Sequence, residues 1–242
     1  MDRRINPEVP AGVSIILPAF NEKNNLKTVV ESVIASIAPN ANTYEVIIVD
    51  DGSRDGTDAV ARSLTGLRGV KLFRHEANLG MGEAVKTGIR HAEFPILMDI
   101  PCDNQFNAQD IVPFIDKIKT ADIVVGYRVN KAQGFRRKLF SGFNILLLKA
   151  FFGLALKDPT WVKMFRKKIF DTIQIESRGF FWETEVLVKA KAQGFKIEEV
   201  PTTMQPRLSG ESKGNSFFRA FDVLLSMLRL KIGFITSRFF KR

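Results

Sequence analysis

The chain has 242 residues, a formal net charge of +10 and a single cysteine. Apolar residues make up 45% and charged residues 26%, which excludes a disordered chain and supports a core for one large domain or two small ones. The lone Cys102 excludes an intramolecular disulfide framework and fits a reducing compartment.

Residues 1–12 lack the apolar core of a signal peptide, so a cytoplasmic chain is expected. Residues 13–17 then form a short run rich in Ile and Val, the pattern of a buried strand. A helix is predicted over 22–36, with Leu26, Val29, Val30 and Val33 at helical spacing. A second strand is predicted over 44–50, a helix opening near Thr57, a third strand over 70–74 and a helix over 82–91. Strands over 95–98 and 123–126 flank a helix near 108–119. This alternation predicts an α/β fold with a mostly parallel sheet covered on both faces. Cys102 reads as a small packing residue, because the chain offers it no zinc partners.

The character changes after Arg128. Residues 139–156 are apolar apart from Ser, Gly, Asn and Lys149. The length barely suffices to cross a bilayer, and a lysine near the middle opposes insertion, so the segment reads as a buried or interfacial helix pair. The last 30 residues hold seven cations and one acid, Asp222. A final helix over 216–240 aligns Phe217, Phe221, Leu224, Leu228, Ile232, Ile235 and Phe239 in one stripe with cations beside it, which suits a membrane interface. The competing reading is a helix packed on the body of the domain with its cations in water. The expected division is a domain over 1–210, with 138–156 as an apolar helical insertion, and a basic amphipathic helix over 211–242.

In an open α/β sheet, ligands collect beyond the carboxyl ends of the strands. The first strand delivers Pro18, Ala19, Phe20 and Glu22 to that edge, and the second delivers Asp50 and Asp51. Asp50 and Asp51 equally fit a turn that caps the next helix. Gly80 and Gly82 follow the third strand in a G-x-G run that lacks the third glycine of a dinucleotide fingerprint, since Val85 stands there; it equally starts a helix.

Together these segments resemble the family-2 glycosyltransferases, in the branch that uses polyprenyl phosphates, as dolichyl-phosphate mannose synthases do. The resemblance covers about residues 13–215. It also rests on Gly126-Tyr127-Arg128, Arg136-Arg137 with Ser141 and Asn144, Asp158-Pro159-Thr160, Gly179-Phe180-Phe181-Trp182-Glu183-Thr184-Glu185, and the run from Arg207 to Lys213. One departure is Trp161-Val162-Lys163-Met164-Phe165, which lacks the glycine usual after Asp-Pro-Thr.

The resemblance implies a GT-A, Rossmann-like nucleotide-sugar domain followed by amphipathic or interfacial helices. It implies an inverting transfer of sugar from a UDP- or GDP-linked donor to a polyprenyl phosphate, on the cytoplasmic face of a membrane with which the protein associates peripherally. Pro18, Ala19, Phe20, Glu22, Asp50, Asp51, Gly80 and Asp103 then form the donor site. Mg²⁺ or Mn²⁺ is implied at Asp103 with Gln105 in support; Pro101 stands where the family's first metal-binding aspartate belongs, and Asp99 is the candidate replacement. Arg128, Arg137, Arg207 and Lys213 are the candidates for phosphate contacts, and Asp103, Arg128 and Arg207 are the expected catalytic residues. A lipid phosphate is already ionised, so it needs placement rather than a general base. Glu183 and Glu185 are candidate bases for the alternative, a saccharide or glycolipid hydroxyl acceptor; Glu183 equally caps its helix or pairs with an arginine. A non-catalytic protein that binds anionic lipid or nucleic acid ranks last, since no nucleic-acid module is recognised.

Overall fold

The computed structural model describes residues 12–130, 135–206 and 225–232, with side chains for all of these except 135–140. In chain order the elements are β1 (Val13–Ala19), α1 (Leu26–Ile37), β2 (Tyr44–Asp50), α2 (Thr57–Leu64), β3 (Val70–Arg74), α3 (Met81–His91) and β4 (Ile96–Asp99). They continue with α4 (Ile111–Lys117), β5 (Ile123–Arg128), α5 (Phe135–Phe152), β6 (Lys163–Arg166), α6 (Trp182–Ala192) and β7 (Ile197–Thr202). Short 3-10 turns, Ala108–Asp110 and Lys167–Asp171, precede α4 and follow β6.

The seven strands form one sheet in the order β3-β2-β1-β4-β6-β5-β7. β1 to β4 run parallel, β5 runs parallel to β7, and only β6 runs against its neighbours. The α/β class and the mostly parallel sheet therefore agree with the sequence pattern. Strands buried on both faces explain why these runs are continuously apolar rather than alternating.

Side chains along each strand divide between two cores, as a period of two requires. Val46 and Ile48 join one cluster with Leu26, Val30 and Val33 of α1 and Phe114 of α4. Ile47 and Val49 face the opposite cluster, built with Ala84 and Val85 of α3, Trp182, Val186 and Leu187 of α6, Leu148 of α5, and Met227. Each fully buried Val, Leu or Ile in these layers contributes about 1.5–3 kcal/mol relative to an exposed position.

Two strands escaped the sequence reading. β6 is four residues long and carries Lys163, while β7 includes Glu198, Glu199 and Pro201. β7 lies at the sheet edge, where proline is tolerated because no neighbour needs its missing N–H. The expected helix pair over 139–156 is instead one helix, α5, ended by Gly153 at φ 65°. Among the described residues no helix is long and apolar enough to cross a membrane.

Within the expected C-terminal helix, residues 225–232 are helical. Met227 is buried, and Leu230 packs on the same cluster as Leu147 and Phe152. The stripe members Leu228 and Ile232 are exposed instead. The expected boundary at 210/211 and the stripe members Phe217, Phe221, Leu224, Ile235 and Phe239 lie outside the described residues.

Candidate active site at the carboxyl edge of the sheet

Strand register decides which acids reach the rim. Ala19 lies beside Asp50 at the ends of β1 and β2, whereas Asp99 at the end of β4 lies beside Ile16. Asp99 therefore sits three residues lower, about 10 Å at the rise of a strand. The segment that follows has that distance to climb before it presents Asp103.

The exits of β1 and β2 are stitched together. Asn21, at φ 53°, donates its N–H to Ser53 Oγ and accepts the Arg54 N–H on its side-chain oxygen. Glu22 donates its N–H to the Thr57 hydroxyl, and its carboxylate accepts from Asn25 at the start of α1. Asp51 donates its N–H to the Ala19 carbonyl at 2.8 Å. Pro18, Ala19, Phe20 and Glu22 thus stand on one wall, with Asp50 and Asp51 on the adjoining strand.

Asp50 and Asp51 have different partners. Asp50 is fully buried; it accepts the Ser53 N–H at 3.0 Å, and Arg74 Nε lies 3.2 Å from its other oxygen. That second contact is an ion pair rather than a well-formed hydrogen bond, for the oxygen has no partner of hydrogen-bond geometry. The Ser53 contact is the local turn that the sequence left as an alternative. Asp51 accepts N–H groups from Leu79 and Gly80, each at 2.9 Å, and lies 2.7 Å from His75 Nδ1. Its carboxylate shapes the 75–80 loop. His75, which the sequence reading passed over, reaches Thr87 with its other ring nitrogen at 3.0 Å.

The two glycines have a packing duty. A Cβ on Gly80 would stand 2.7 Å from the Arg178 carbonyl oxygen, and one on Gly82 would stand 2.4 Å from that of Ser177. Gly82 donates its N–H to Arg178 O at 2.7 Å. Gly80 also has φ 97°, a region that favours glycine. The close backbone approach is to residues 177–179 of the same chain.

Glu185 accepts the N–H groups of Glu176 and Ser177 and the Lys189 ammonium at 2.7 Å. Burial alone would raise its pKa, but Lys189 and those amides outweigh it and hold the group below the usual carboxylate range. Glu185, a candidate base from the sequence, is in this geometry a buried, anionic anchor for the 176–179 loop.

Under the rim lies a cluster of charges. Lys163 is fully buried, with Glu183 Oε2 at 3.1 Å and the Trp161 carbonyl at 2.5 Å from its ammonium. Asp99 lies opposite Lys163 across the β4–β6 ladder. Burial pushes the Asp99 pKa up to about 7, with the Lys163 charge opposing and the Glu183 charge reinforcing the shift. Burial likewise raises Glu183, against the pull of Lys163. Asp99, the candidate replacement metal ligand, is placed below the rim and opposite an ammonium. Lys163 escaped the sequence reading, although a lysine inside Val162-Lys163-Met164-Phe165 marks a buried charge.

Arg128, at the end of β5, forms a two-pronged pair with Asp158, Nε to Oδ2 at 2.6 Å and a terminal nitrogen to Oδ1 at 2.9 Å. Its guanidinium carbon lies 4.3 Å from the centre of the Trp161 ring, whose Nε1 donates to Thr202. The tryptophan that replaces the expected small residue therefore builds a shelf for this arginine. Arg137 lies on α5, and its side chain is outside the described residues, as are Arg207 and Lys213.

Asp103 is half-buried in the turn after β4, where Oδ1 accepts the Gln105 N–H at 3.1 Å, and Asn104 adopts φ 61°. The Gln105 carbonyl accepts from Gln205, which ties this turn to the segment after β7. Cys102 is buried, in keeping with a packing role. Among the described residues no group of three or more His, Cys, Asp or Glu side chains is arranged to hold a metal ion. The donor set at the turn does not fit a protein cage; it fits a Mg²⁺ or Mn²⁺ ion that takes most of its oxygens from a diphosphate.

The chain matches the family described as Glycosyl transferase family 2 over residues 14–180. It is 30% identical over 210 residues to a dolichol-phosphate mannosyltransferase of Pyrococcus furiosus, covering 83% of this chain and 58% of that protein. It is 29% identical over 226 residues to a dodecaprenyl-phosphate galacturonate synthase of Rhizobium johnstonii, covering 89% of this chain and 65% of that one. The chain thus spans less than two thirds of either relative. Glucosyl-3-phosphoglycerate synthase of Mycobacterium tuberculosis, solved with Mn²⁺, UDP-glucose and phosphoglyceric acid, superposes with a TM-score of 0.71 at 19% identity, over 91% of this chain and 80% of that one. That likeness extends to the fold, a GT-A arrangement.

Proposed function

The chain belongs to glycosyl transferase family 2, and from that premise we propose that it is an inverting enzyme moving a sugar from a nucleoside diphosphate to a polyprenyl phosphate at a membrane surface. The observation that carries the donor half is the convergence of three parallel strand exits, those of β1, β2 and β4, on one sheet edge. Asp51 orders the 75–80 loop beside the β1 exit, which leaves a preformed wall for the nucleoside. Asp103 and Gln105 would hold Mg²⁺ or Mn²⁺ against the diphosphate, where a divalent cation stabilises the departing negative charge.

The acceptor half rests on what the carboxylates are already doing. Glu185 is committed to its loop and Glu183 to Lys163. A phosphate acceptor brings its own negative oxygen and requires cationic placement, for which Arg128, Arg137, Arg207 and Lys213 are the residues in this reading. Arg128 contributes by a guanidinium held rigid between Asp158 and Trp161.

The burial-raised carboxyl of Glu183 favours a second reading, general-base activation of a hydroxyl acceptor. The test is incubation with UDP- and GDP-linked sugars and radiolabelled polyprenyl phosphate, with the product then exposed to mild acid. An acid-labile glycosyl phosphodiester supports the proposal. A stable glycoside with a hydroxyl lipid, and no product on the phosphate, would overturn it.

A further inference from the structure

His75 has no place in the chemistry described above, yet its imidazole grips a residue of the donor wall. The ring joins two elements: Nδ1 lies 2.7 Å from Asp51 Oδ1, and Nε2 lies 3.0 Å from the Thr87 hydroxyl of α3. Both side chains are nearly withdrawn from water, with 11% of the imidazole and 4% of the carboxylate exposed. The His75 N–H donates to the Asp50 carbonyl at 2.9 Å, so the backbone beneath the ring continues the β2–β3 ladder.

The partners settle where the ring carries its hydrogen. A carboxylate only accepts, so Nδ1 is the donor and, in the neutral ring, Nε2 is the acceptor. Thr87 suits that assignment: its oxygen accepts from Arg90 at 2.9 Å, which leaves its own hydrogen to donate to Nε2. Arg74, the cation at the end of β3, is engaged by Asp50 and Asp58 instead.

The contact closes a clasp. Asp51 is held by His75 at the start of the loop and by the N–H groups of Leu79 and Gly80 at its end. The residues between, 76–79, are exposed. Their backbone presses on Gly52, where a Cβ would stand 2.4 Å from the Ala77 carbonyl carbon. A loop so exposed has little apolar contact to hold it, so its place depends on how the carboxylate is turned. The two backbone amides move with the loop, whereas the ring is braced by the sheet and by α3.

We propose that His75 is a positioning residue for the nucleotide donor. Donating from Nδ1 and braced by Thr87, it fixes the Asp51 carboxylate and with it the loop that walls the nucleoside. The inference rests on the proposed function in placing the donor at this wall, yet it is read from nucleotide binding and from the ring itself.

UDP and GDP would be titrated calorimetrically, with Mn²⁺, into the full chain and its His75→Asn, His75→Gln and His75→Ala variants. Asparagine carries an amide N–H where Nδ1 stands and glutamine where Nε2 stands, so rescue by asparagine alone reports the Asp51 contact. Affinity for the nucleotide that binds is expected to fall roughly tenfold or more in His75→Ala and His75→Gln, through loss of a hydrogen bond to a charged group, and to stay near wild type in His75→Asn. In transfer assays the loss is expected in the donor KM, with the acceptor KM unchanged. NMR of the labelled imidazole nitrogens is expected to find the neutral ring protonated at Nδ1. A ring protonated at Nε2 would overturn the proposal. Equal losses in His75→Asn and His75→Ala would do so too, by making the ring a packing element. Undiminished nucleotide binding in His75→Ala, with transfer intact, sinks this role alone. The expected binding pattern in a chain that makes no glycosyl phosphodiester sinks the proposed acceptor alone, and a wild-type chain that binds neither nucleotide overturns both.

Discussion

Arg128 and Asp158 close a fork of two parallel hydrogen bonds, 2.6 and 2.9 Å, between the end of β5 and the segment leading to β6. Both side chains are nearly buried, and the Trp161 ring covers the guanidinium. Removing one partner of such a pair strands the other charge away from water, at a cost of about 3–5 kcal/mol. Asp158→Ala is therefore expected to lower stability by that amount. Arg128→Lys keeps the charge but loses the fork. Its expected effect is a transfer rate down roughly tenfold or more with folding largely intact. Urea unfolding and initial rates measured on both variants check this, and a lysine variant of undiminished rate would remove Arg128 from the acceptor site.

Lys163→Met leaves the buried Asp99 and the partly buried Glu183 with no cation between them. A loss of about 3–5 kcal/mol is expected at neutral pH. Adding Glu183→Gln to the same chain is expected to recover part of it, because one of the stranded charges disappears. A double-mutant cycle with no coupling would argue against the pairing.

Gly82→Ala places a methyl group 2.4 Å from the Ser177 carbonyl oxygen. The 176–179 loop must then shift, and overpacking of this kind costs about 1–3 kcal/mol. Because α3 begins at Met81, directly after the Asp51 contacts at Leu79 and Gly80, nucleotide affinity is expected to fall along with the melting temperature. Calorimetric titration with UDP and GDP, beside thermal unfolding, measures both.

Glu185 makes acid stability predictable. Its pKa in the fold lies below its ordinary value of 4.5. The unfolded chain therefore takes up the proton first on acidification, so the stabilisation is complete above 4.5 and disappears as pH falls through the lower folded value. Glu185→Gln, which cannot titrate, is expected to be less stable at neutral pH by about 1–3 kcal/mol. It is also expected to lose less stability than wild type as pH falls below 4.5, the side on which this linkage acts. Parallel curves for the two proteins would show that the carboxylate is not held as described.

Asp103→Ala should separate binding of the cation from folding, because the turn is half-buried and lies outside the sheet. The melting temperature is expected to change little. The extra stabilisation that Mn²⁺ adds to a nucleoside-diphosphate complex should disappear, a shift read directly as a ligand-linked rise in melting temperature.

The runs of Val and Ile, the glycines after the third strand and the acids at strand exits were legible in the residues alone. They are local signals, since a strand buried on both faces must be apolar along its length and must stop where polar groups meet water. The α/β class, the parallel strands β1 to β4 and the edge on which Phe20 and Asp51 gather follow from them. β6 and β7 were not legible, because a lysine in one and a proline beside two glutamates in the other make sense only once neighbours are known. Tertiary structure alone decided that Asp99 lies three residues below the rim, that Glu185 braces a loop, and that the 225–232 helix buries Met227 while Leu228 faces out. Register and helix rotation depend on which surfaces meet across the fold. A stretch of sequence determines its own periodicity but not the partner against which that period is read.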